Sequence, residues 1–367
     1  MNKLIEKLKK KNLDSLYKYR QQLYKKPILK DLFLEVTSRC NARCEHCGSS
    51  CGDKAISDEI GAEELKKVLY DVAQKYNAHD ILLNVTGGEP LVRKDLFEIM
   101  DYANKLGYKW GMTSNGMLIT DEILEKMNAT NMKTISISLD GMKETHESFR
   151  KVPGSFDKIV ENIKKLQSVL SIKIVQVTTV ANKKNLNELE QVYNLMKRLN
   201  VISWRVVNVD PIGRAKNNEE ILLNKDEYKY LFNFIKEKRE ENIMNVEYGC
   251  AHYLGIPMEK EIRDTYFMCT TGLYVASILS NGDIFVCPNV ERRPELIQGN
   301  IKTDNFVEVW ENKFKEFRTD ERTKSEKCSK CSKWKYCLGD SFHTFDFDRR
   351  EPRFCINDVY EKCKECK

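Results

Sequence analysis

The chain has 367 residues, 41% of them hydrophobic and 32% charged, with a formal net charge of +6. This length supports a large hydrophobic core in one or two domains. The positive charge is mild and no basic run with interleaved aromatic residues occurs, which argues against a nucleic-acid-binding protein. Lysines interrupt the first apolar residues and no stretch reaches the roughly 20 apolar residues of a membrane span, so we expect a cytoplasmic protein without a signal peptide.

Residues 1–30 form a basic segment, with ten Lys or Arg residues against Glu6 and Asp14. Four of its apolar residues recur at roughly helical spacing, which predicts an N-terminal helix. These residues are Ile5, Leu8, Leu16 and Leu23. The simpler interpretation is a solvated helix packed on the body of the protein. The alternative is a docking surface for an acidic peptide or partner.

From Lys30 to about Asp210, β-branched apolar runs alternate with amphipathic stretches. The runs predict strands at 32–36, 81–86, 108–113, 134–139, 172–180 and 202–209. The intervening helices are predicted near 58–77, 94–106, 121–128, 155–170 and 185–199. Six such repeats predict an α/β fold with a parallel sheet and right-handed crossovers. Both an open doubly wound sheet and a partial barrel satisfy this pattern.

Four unusual stretches follow the first four predicted strands. "CNARCEHC" (40–47) comes after the first strand, "TGGEP" (86–90) ends the second, "TSNG" (113–116) the third and "SLDG" (138–141) the fourth. In parallel α/β folds the loops at the carboxyl ends of the strands carry the functional residues. We therefore expect these four stretches to meet at one rim of the sheet.

After about residue 235 the alternation stops, and nine of the thirteen cysteines follow. Residues 274–287 predict a hairpin, with Asn281 and Gly282 in its turn. Short loops and cysteine pairs make up much of the remainder. These features predict a second domain that is held by metal rather than by a large core.

Thirteen cysteines in a chain expected to lie in the reducing cytosol indicate metal binding rather than disulfides. Cys40, Cys44 and Cys47 are spaced x3 and x2, which is more compact than the paired C-x2-C sets of zinc sites and is typical of iron–sulfur ligation. Three ligands would leave one iron of a cluster open. Cys51 is a candidate fourth ligand that would close the site, and a structural zinc is the remaining alternative.

The C-x3-C-x2-C motif after the first strand of a (β/α)6 pattern resembles the radical S-adenosylmethionine (radical SAM) superfamily. The resemblance implies a partial (β/α)6 TIM-like barrel over residues 31–235. It also implies that Cys40, Cys44 and Cys47 hold a [4Fe–4S] cluster that binds SAM and reductively cleaves it to a 5′-deoxyadenosyl radical.

Companion motifs extend the resemblance from residue 32 to about 215. Gly87, Gly88 and Glu89 form the "GGE" motif, which in that family binds the amino group of SAM. "SLDGMKETHESFR" (138–150) resembles the family's stretch after the fourth strand, where a Ser and an Arg contact SAM. This implies SAM-binding roles for Ser138 and Arg150, and the guanidinium suits a carboxylate. "VVNVDPIGRA" (206–215) resembles the sixth-strand region of these enzymes.

The C-terminal cysteines resemble the SPASM extension of radical SAM enzymes, which holds two auxiliary [4Fe–4S] clusters. One implied ligand set is Cys328, Cys331, Cys337 and Cys355. The other consists of Cys269 and Cys287, with Cys250 as a third member.

The second set departs from the family pattern, because Ser341 stands where a cysteine is expected. Ser341 or His343 could be a ligand, Cys363 or Cys366 could fold back, or one iron could be open for substrate. A further alternative is that the region binds one zinc and one cluster, or that some of these cysteines are merely buried thiols. Cys51, Cys363 and Cys366 remain unassigned.

The resemblance implies an oxidoreductase-type enzyme that cross-links, epimerises or oxidises a ribosomal peptide or protein. Its implied partners are that substrate and a flavodoxin- or ferredoxin-like electron donor. The alternatives are a radical SAM dehydrogenase or cofactor-biosynthesis enzyme for a small molecule, and a non-catalytic iron–sulfur carrier. Pro288 follows Cys287 where sulfatase-maturing members have Asp, which argues against that activity. The predicted domains are a basic helix (1–30), a radical SAM core (31–235) and a SPASM domain (236–367).

Overall fold

The structure is a computed structural model that describes residues 3–249 and 251–360. Cys250, Cys363 and Cys366 therefore lie outside the described residues. Among the residues that are described, no helix is both long and apolar enough to span a bilayer.

Ten strands form one mixed sheet and two short strands form a separate antiparallel pair. The strands of the large sheet are β1 (Asp31–Glu35), β2 (Leu82–Thr86), β3 (Lys109–Ser114), β4 (Thr134–Ser138), β5 (Ile174–Ala181), β6 (Ser203–Asn208), β7 (Asn245–Tyr248), β8 (Val275–Ile278), β9 (Asp283–Phe285) and β10 (Gly299–Asn300). The separate pair is β11 (Phe345–Asp346) and β12 (Glu351–Pro352).

Long helices occupy the N-terminal two thirds of the chain and short ones the remainder. The helices are α1 (Lys3–Lys25), α2 (Ala62–Lys75), α3 (Leu96–Lys105), α4 (Asp121–Ala129), α5 (Lys143–Arg150), α6 (Ser155–Leu166), α7 (Leu189–Arg198), α8 (Lys225–Glu240), α9 (Gly255–Met258), α10 (Phe306–Asn312), α11 (Glu326–Ser329), α12 (Trp334–Cys337) and α13 (Ile356–Val359). The predicted N-terminal helix and the five predicted crossover helices are present, and α5 was not predicted.

The order of the strands distinguishes between the two predicted arrangements, an open doubly wound sheet and a partial barrel. Strands β1 to β6 are parallel and adjacent in chain order. A doubly wound sheet would reverse its order at a switch point, and this sheet does not. All six strands line a single cavity of about 660 Å³, which requires the sheet to curve around it. The predicted partial barrel is confirmed.

Side chains alternate between the two faces of this curved sheet. On β1, Leu32 and Leu34 are fully buried on the outer face, while Asp31, Phe33 and Glu35 line the cavity. The other strands also direct polar residues inward. These include Asn84, Thr113, Ser136, Gln176, Thr178 and Arg205. The interior of the barrel is therefore a polar chamber, and the apolar core lies mainly between the sheet and its helices.

The sheet continues beyond the predicted core. β7 pairs in parallel with β6, and β8 pairs in parallel with β1. The prediction that the alternation stops at about residue 235 is wrong, because α8 and β7 add one more helix and strand. The boundary at 235 falls inside α8, and the division into 31–235 and 236–367 stays a prediction. The hairpin at 274–287 is confirmed by the antiparallel pairing of β8 and β9.

Helix α1 packs on the C-terminal part of the chain. Arg20 is 3% exposed and donates a hydrogen bond of 3.1 Å to the Cys269 carbonyl. Leu23 is buried, as the helical spacing predicts, but Ile5 and Leu8 are about half exposed at 47% and 53%. The apolar stripe thus contacts the body only over the later turns of the helix.

Candidate functional site

The loop after β1 carries the first cysteine cluster. Cys40, Cys44 and Cys47 line a cavity of about 310 Å³ at the carboxyl ends of the strands, and Cys51 lines it as well. The three sulfurs are close enough to influence one another electrostatically. The four stretches that were expected to share one rim all contribute residues to this cavity. The expected convergence is confirmed.

The segment after β6 holds the cysteine loop in place. Arg214 donates hydrogen bonds to the carbonyls of Cys44 (2.7 Å) and Cys51 (2.8 Å). Gly213 has a φ of +55°, and a Cβ on it would lie 2.3 Å from the Gly48 carbonyl oxygen. This close contact explains the Gly-Arg pair in "VVNVDPIGRA". The sequence showed the resemblance of this segment but not its contact with the cysteines.

The glycines of "TGGEP" allow β2 to end directly against the same loop. The Gly88 amide donates to the Thr37 carbonyl at 2.8 Å, and the Glu89 amide donates to the Arg39 carbonyl at 2.9 Å. A Cβ on Gly88 would lie 2.2 Å from the Arg39 carbonyl oxygen and 2.9 Å from the Cys40 Cβ. Any larger residue at position 88 would therefore push on the first cysteine.

Four of the five predicted SAM-binding residues line the cavity, and Glu89 is the exception. The four are Gly87, Gly88, Ser138 and Arg150. Glu89 is fully buried, and its carboxylate accepts hydrogen bonds from the Ser114 hydroxyl (2.9 Å) and the Asn115 amide (2.8 Å). Burial raises the pKa of the Glu89 carboxyl. Glu89 thus fixes the "TSNG" loop, and its contact with SAM stays a prediction.

Arg150 is held by a carboxylate that sequence reasoning did not single out. Its Nε donates to Asp140 Oδ2 at 2.5 Å, and its Nη1 lies 3.7 Å from Cys44 Sγ. The other oxygen of Asp140 accepts from the Val180 amide at 2.8 Å. Burial is the largest single influence on Asp140 and raises its pKa, but the charge of Arg150, the nearby His46 and His146 and the hydrogen bond from Val180 together lower the pKa of the carboxyl. Asp140 lies within the "SLDG" stretch, which was the available signal.

We expect Asp140→Asn to weaken SAM binding by about 10–100-fold, because it frees the guanidinium that faces the cavity. Removing one charged partner of a buried ion pair should also lower the unfolding free energy by about 3–5 kcal/mol. Equilibrium binding of SAM to the reconstituted protein and urea unfolding measure the two effects. Lys143→Met is the matched control, since it breaks only the exposed pair with Asp157 and should cost at most about 1 kcal/mol. Unchanged SAM binding in Asp140→Asn would contradict the role given to this pair.

The thiols of the first cluster differ in acidity. Burial raises the pKa of Cys40 to about 11, whereas the neighbouring Cys51 thiol lowers the pKa of Cys47. Iron binds thiolates, so filling this site must release protons. Most of these protons come from the thiols whose pKa is raised. Within residues 3–249 and 251–360, no group of three or more His, Cys, Asp or Glu side chains is arranged to hold a single metal ion.

The structure brings the C-terminal set of four cysteines together. Cys337 interacts electrostatically with Cys328 and Cys355, and burial raises the pKa of both Cys337 and Cys355. The Cys331 sulfur lies 4.0 Å from the side-chain amide nitrogen of Asn357. Cys331 and Cys337 both lie near Tyr253. These four thiols form a second potential ligand set, away from the barrel interior.

Cys269 and Cys287 lie elsewhere, in the wall of the 660 Å³ cavity. Ser341 and His343 line the same cavity, so the structure brings two proposed substitutes for the missing cysteine to the same wall. The predicted third ligand, Cys250, is outside the described residues. The two cavities share several lining residues, which joins the first cysteine cluster to this wall. The shared residues include Thr86, Gly87, Pro288, Asn289 and His343.

Comparison with known proteins agrees with this architecture. Residues 34–196 match the radical SAM superfamily, and residues 269–332 match the SPASM iron–sulfur cluster-binding domain. An AdoMet-dependent heme synthase from Methanosarcina barkeri is 29% identical over 88% of this chain and 95% of its own length. The mycofactocin maturase MftC from Mycobacterium tuberculosis is 28% identical over 83% of this chain and 76% of its own.

A solved structure shares the fold at lower identity. Streptococcus suis SuiB, crystallised with its precursor peptide SuiA, superposes with a TM-score of 0.67 at 18% identity, covering 85% of this chain and 72% of SuiB. The two domain matches imply SAM and iron–sulfur clusters as cofactors, and the cysteine-lined cavity has the donor groups that such clusters need. The chain contains a radical SAM domain and a SPASM domain, and it is an enzyme.

Proposed function

We propose that this enzyme reductively cleaves SAM to a 5′-deoxyadenosyl radical and uses the radical to modify a ribosomal peptide or protein. The modification would be a cross-link, an epimerisation or an oxidation. One observation carries the proposal: the cavity with Cys40, Cys44 and Cys47 shares lining residues with a polar chamber whose wall contains Cys269 and Cys287. A radical formed at the first cavity would thus arise beside a space that can hold a substrate.

The residues around the first cavity have distinct tasks in this proposal. The three thiolates would hold a [4Fe–4S] cluster, which when bound supplies the electron for SAM cleavage. Gly87 and Gly88 let the backbone approach the cofactor closely. Arg150, oriented by Asp140, offers guanidinium N–H donors for the carboxylate of SAM. Ser138 adds a hydroxyl to the lining of the same cavity.

The lining of the chamber favours a polar substrate. Arg205 donates to the hydroxyls of Thr178 (3.2 Å) and Ser136 (3.4 Å), and Asn84 donates to Asp31 at 3.0 Å. Such a wall offers donors and acceptors at many points, and this suits the amide groups of a peptide. A chamber of about 660 Å³ has room for a few residues rather than a folded domain.

The C-terminal cysteines suit two auxiliary [4Fe–4S] clusters. Cys328, Cys331, Cys337 and Cys355 would provide all ligands of one. Cys269 and Cys287 would hold the other, with Cys250 as the proposed third ligand. Because Cys269 and Cys287 line the chamber, a cluster there could accept an electron from the substrate or bind a substrate thiol. The thiol-rich composition also supports a reducing, cytoplasmic setting.

The relatives support two substrate classes. SuiB was solved with a precursor peptide and MftC is a maturase, which favours a peptide. The second candidate is a small-molecule reaction in cofactor biosynthesis, and the similarity to AdoMet-dependent heme synthases favours it.

The test is to reconstitute the enzyme anaerobically, add SAM and reductant, and supply each short peptide encoded beside its gene. We expect 5′-deoxyadenosine and a peptide that has lost two hydrogens at one residue, located by fragment masses. Three cubane clusters also predict about twelve irons per chain. An unchanged peptide with continuing 5′-deoxyadenosine formation would favour a small molecule. About four irons would contradict the auxiliary clusters.

A further inference from the structure

A group of lysines surrounds the C-terminal set of four cysteines. Within 324–335 the chain has five lysines and one acidic residue, Glu326. We call these five residues the lysine rim: Lys324, Lys327, Lys330, Lys333 and Lys335. Four of them are exposed and Lys333 is half-buried. The rim thus presents ammonium groups to solvent immediately beside three cysteines.

These cysteines lie close to the protein surface. Cys328 and Cys331 are only half-buried, and Ser329, Lys330 and Ser332 around them are exposed. By contrast, Cys44 and Cys269 are less than a tenth exposed. Cys328 and Cys331 can therefore be approached by a second protein at this surface.

The charges of the rim are only partly compensated. Lys327 pairs with Asp358 at 2.7 Å, Lys335 with Asp14 at 2.5 Å, and Lys324 with Glu321 at 3.0 Å. Exposed pairs of this kind contribute little and exchange readily. The two remaining lysines have no carboxylate within 4.0 Å among the described residues.

Those two are Lys330 and Lys333, and Lys333 instead donates to the neutral Asn357 at 2.6 Å. With Lys10 of α1, which lies near Asp14, the surface has six lysines. The carboxylates interspersed with them are Asp14, Glu321, Glu326, Glu351 and Asp358. The balance is positive, and so is the charge of the whole chain. A partner that docks here by electrostatic attraction would be acidic.

We propose that the lysine rim docks an acidic one-electron carrier protein of flavodoxin or ferredoxin type. This inference rests on the proposed function, because reductive cleavage of SAM consumes one electron per event and the docked carrier gives up one electron in becoming oxidised. The rim places the carrier beside the half-buried cysteines. The proposal identifies the surface at which reducing equivalents enter.

The chain offers a short connection from this surface to the chamber. Residues 337–343 run from Cys337, beside the rim, to Ser341 and His343, which line the chamber. Between them Asp340 is buried and anchors the segment, accepting from the Tyr253 amide at 2.7 Å and contacting His252 at 2.6 Å. The rim and the chamber are thus two ends of one rigidly held segment.

The test compares two double variants with equal changes in charge. Lys327→Glu/Lys330→Glu alters the rim, and Lys302→Glu/Lys315→Glu alters exposed lysines elsewhere. The probe is purified flavodoxin in its oxidised form, with affinity measured against reconstituted enzyme at two salt concentrations. We expect the rim variant to bind at least about tenfold more weakly at low salt, while the control variant binds like the wild type. Carbodiimide cross-links from flavodoxin carboxylates should map to the rim.

Kinetics provide a second readout. Reduced flavodoxin should drive 5′-deoxyadenosine formation more slowly in the rim variant, whereas dithionite, which needs no docking surface, should drive it equally in all variants. The inference would be overturned if both double variants bound flavodoxin equally more weakly, or if the rim variant bound it as tightly as the wild type. Absence of dithionite-driven cleavage in the wild type would contradict the proposed function instead, and the binding and cross-linking results would still decide the docking surface.

Discussion

Replacing Cys40, Cys44 and Cys47 together by Ala should abolish 5′-deoxyadenosine formation and remove about four of about twelve irons per chain. The three side chains supply the thiolates that line the 310 Å³ cavity. The auxiliary cysteines are on other segments, so their iron should remain. Iron content and anaerobic product analysis after dithionite reduction measure both effects. Residual SAM cleavage would contradict the assignment of the radical-generating site.

Cys51→Ala is the matched control for this variant. Cys51 lines the same cavity, is 2% exposed and lies beside Cys47, whose pKa it lowers. If the first cluster has only three protein ligands, the Cys51 variant keeps its iron and its ability to cleave SAM. Loss of about four irons from this variant would show instead that Cys51 closes the site as a fourth ligand.

Much of the fold was predictable because the strand signals are strong. The run at 134–139 corresponds to Thr134–Ser138, and that at 172–180 to Ile174–Ala181. Both runs are rich in β-branched residues, which favour strands. By contrast, β7 has only four residues, "NVEY", and directly follows a lysine-rich helix. Such a short edge strand gives little sequence signal, and its pairing with β6 decides its conformation.

The interior of the barrel was not predictable in the same way. Phe33 and Glu35 alternate with Leu32 and Leu34, but alternation indicates only that a strand has two different faces. Which face encloses a cavity depends on the curvature of the whole sheet. The polar lining, which carries most of the argument about substrate, became visible only in the folded chain.

The candidate site shows a similar division. Motif spacing identified the three cysteines of the first loop and the residues around them. It did not identify Arg214, which contacts the Cys44 carbonyl from 170 positions further along the chain. It also did not reveal that the Glu89 carboxylate accepts hydrogen bonds from Ser114 and Asn115. Contacts made by a single side chain over long sequence separations leave no periodic signal, so a single sequence does not reveal them.

A substitution at Gly88 tests how closely the "GGE" motif supports the first cluster. The Cβ of Gly88→Ala would lie 2.2 Å from the Arg39 carbonyl oxygen and 2.9 Å from the Cys40 Cβ. These distances are far inside van der Waals contact, and backbone cannot yield as a flexible side chain can. We therefore expect the loop to shift, the first cluster and SAM cleavage to be lost, and the unfolding free energy to fall by about 1–3 kcal/mol.

Gly52→Ala is the control, because Gly52 lies in the same loop and a Cβ there would meet nothing within 4 Å. The Gly52 variant should retain its iron, its SAM cleavage and its stability. Iron content, 5′-deoxyadenosine formation and urea unfolding of both variants make the comparison. If Gly88→Ala retained the full complement of iron and cleaved SAM at the wild-type rate, the close packing of β2 against the cysteine loop would have no role in holding the cluster. Equal damage in both variants would mean that the loop tolerates no added methyl group, whatever its contacts.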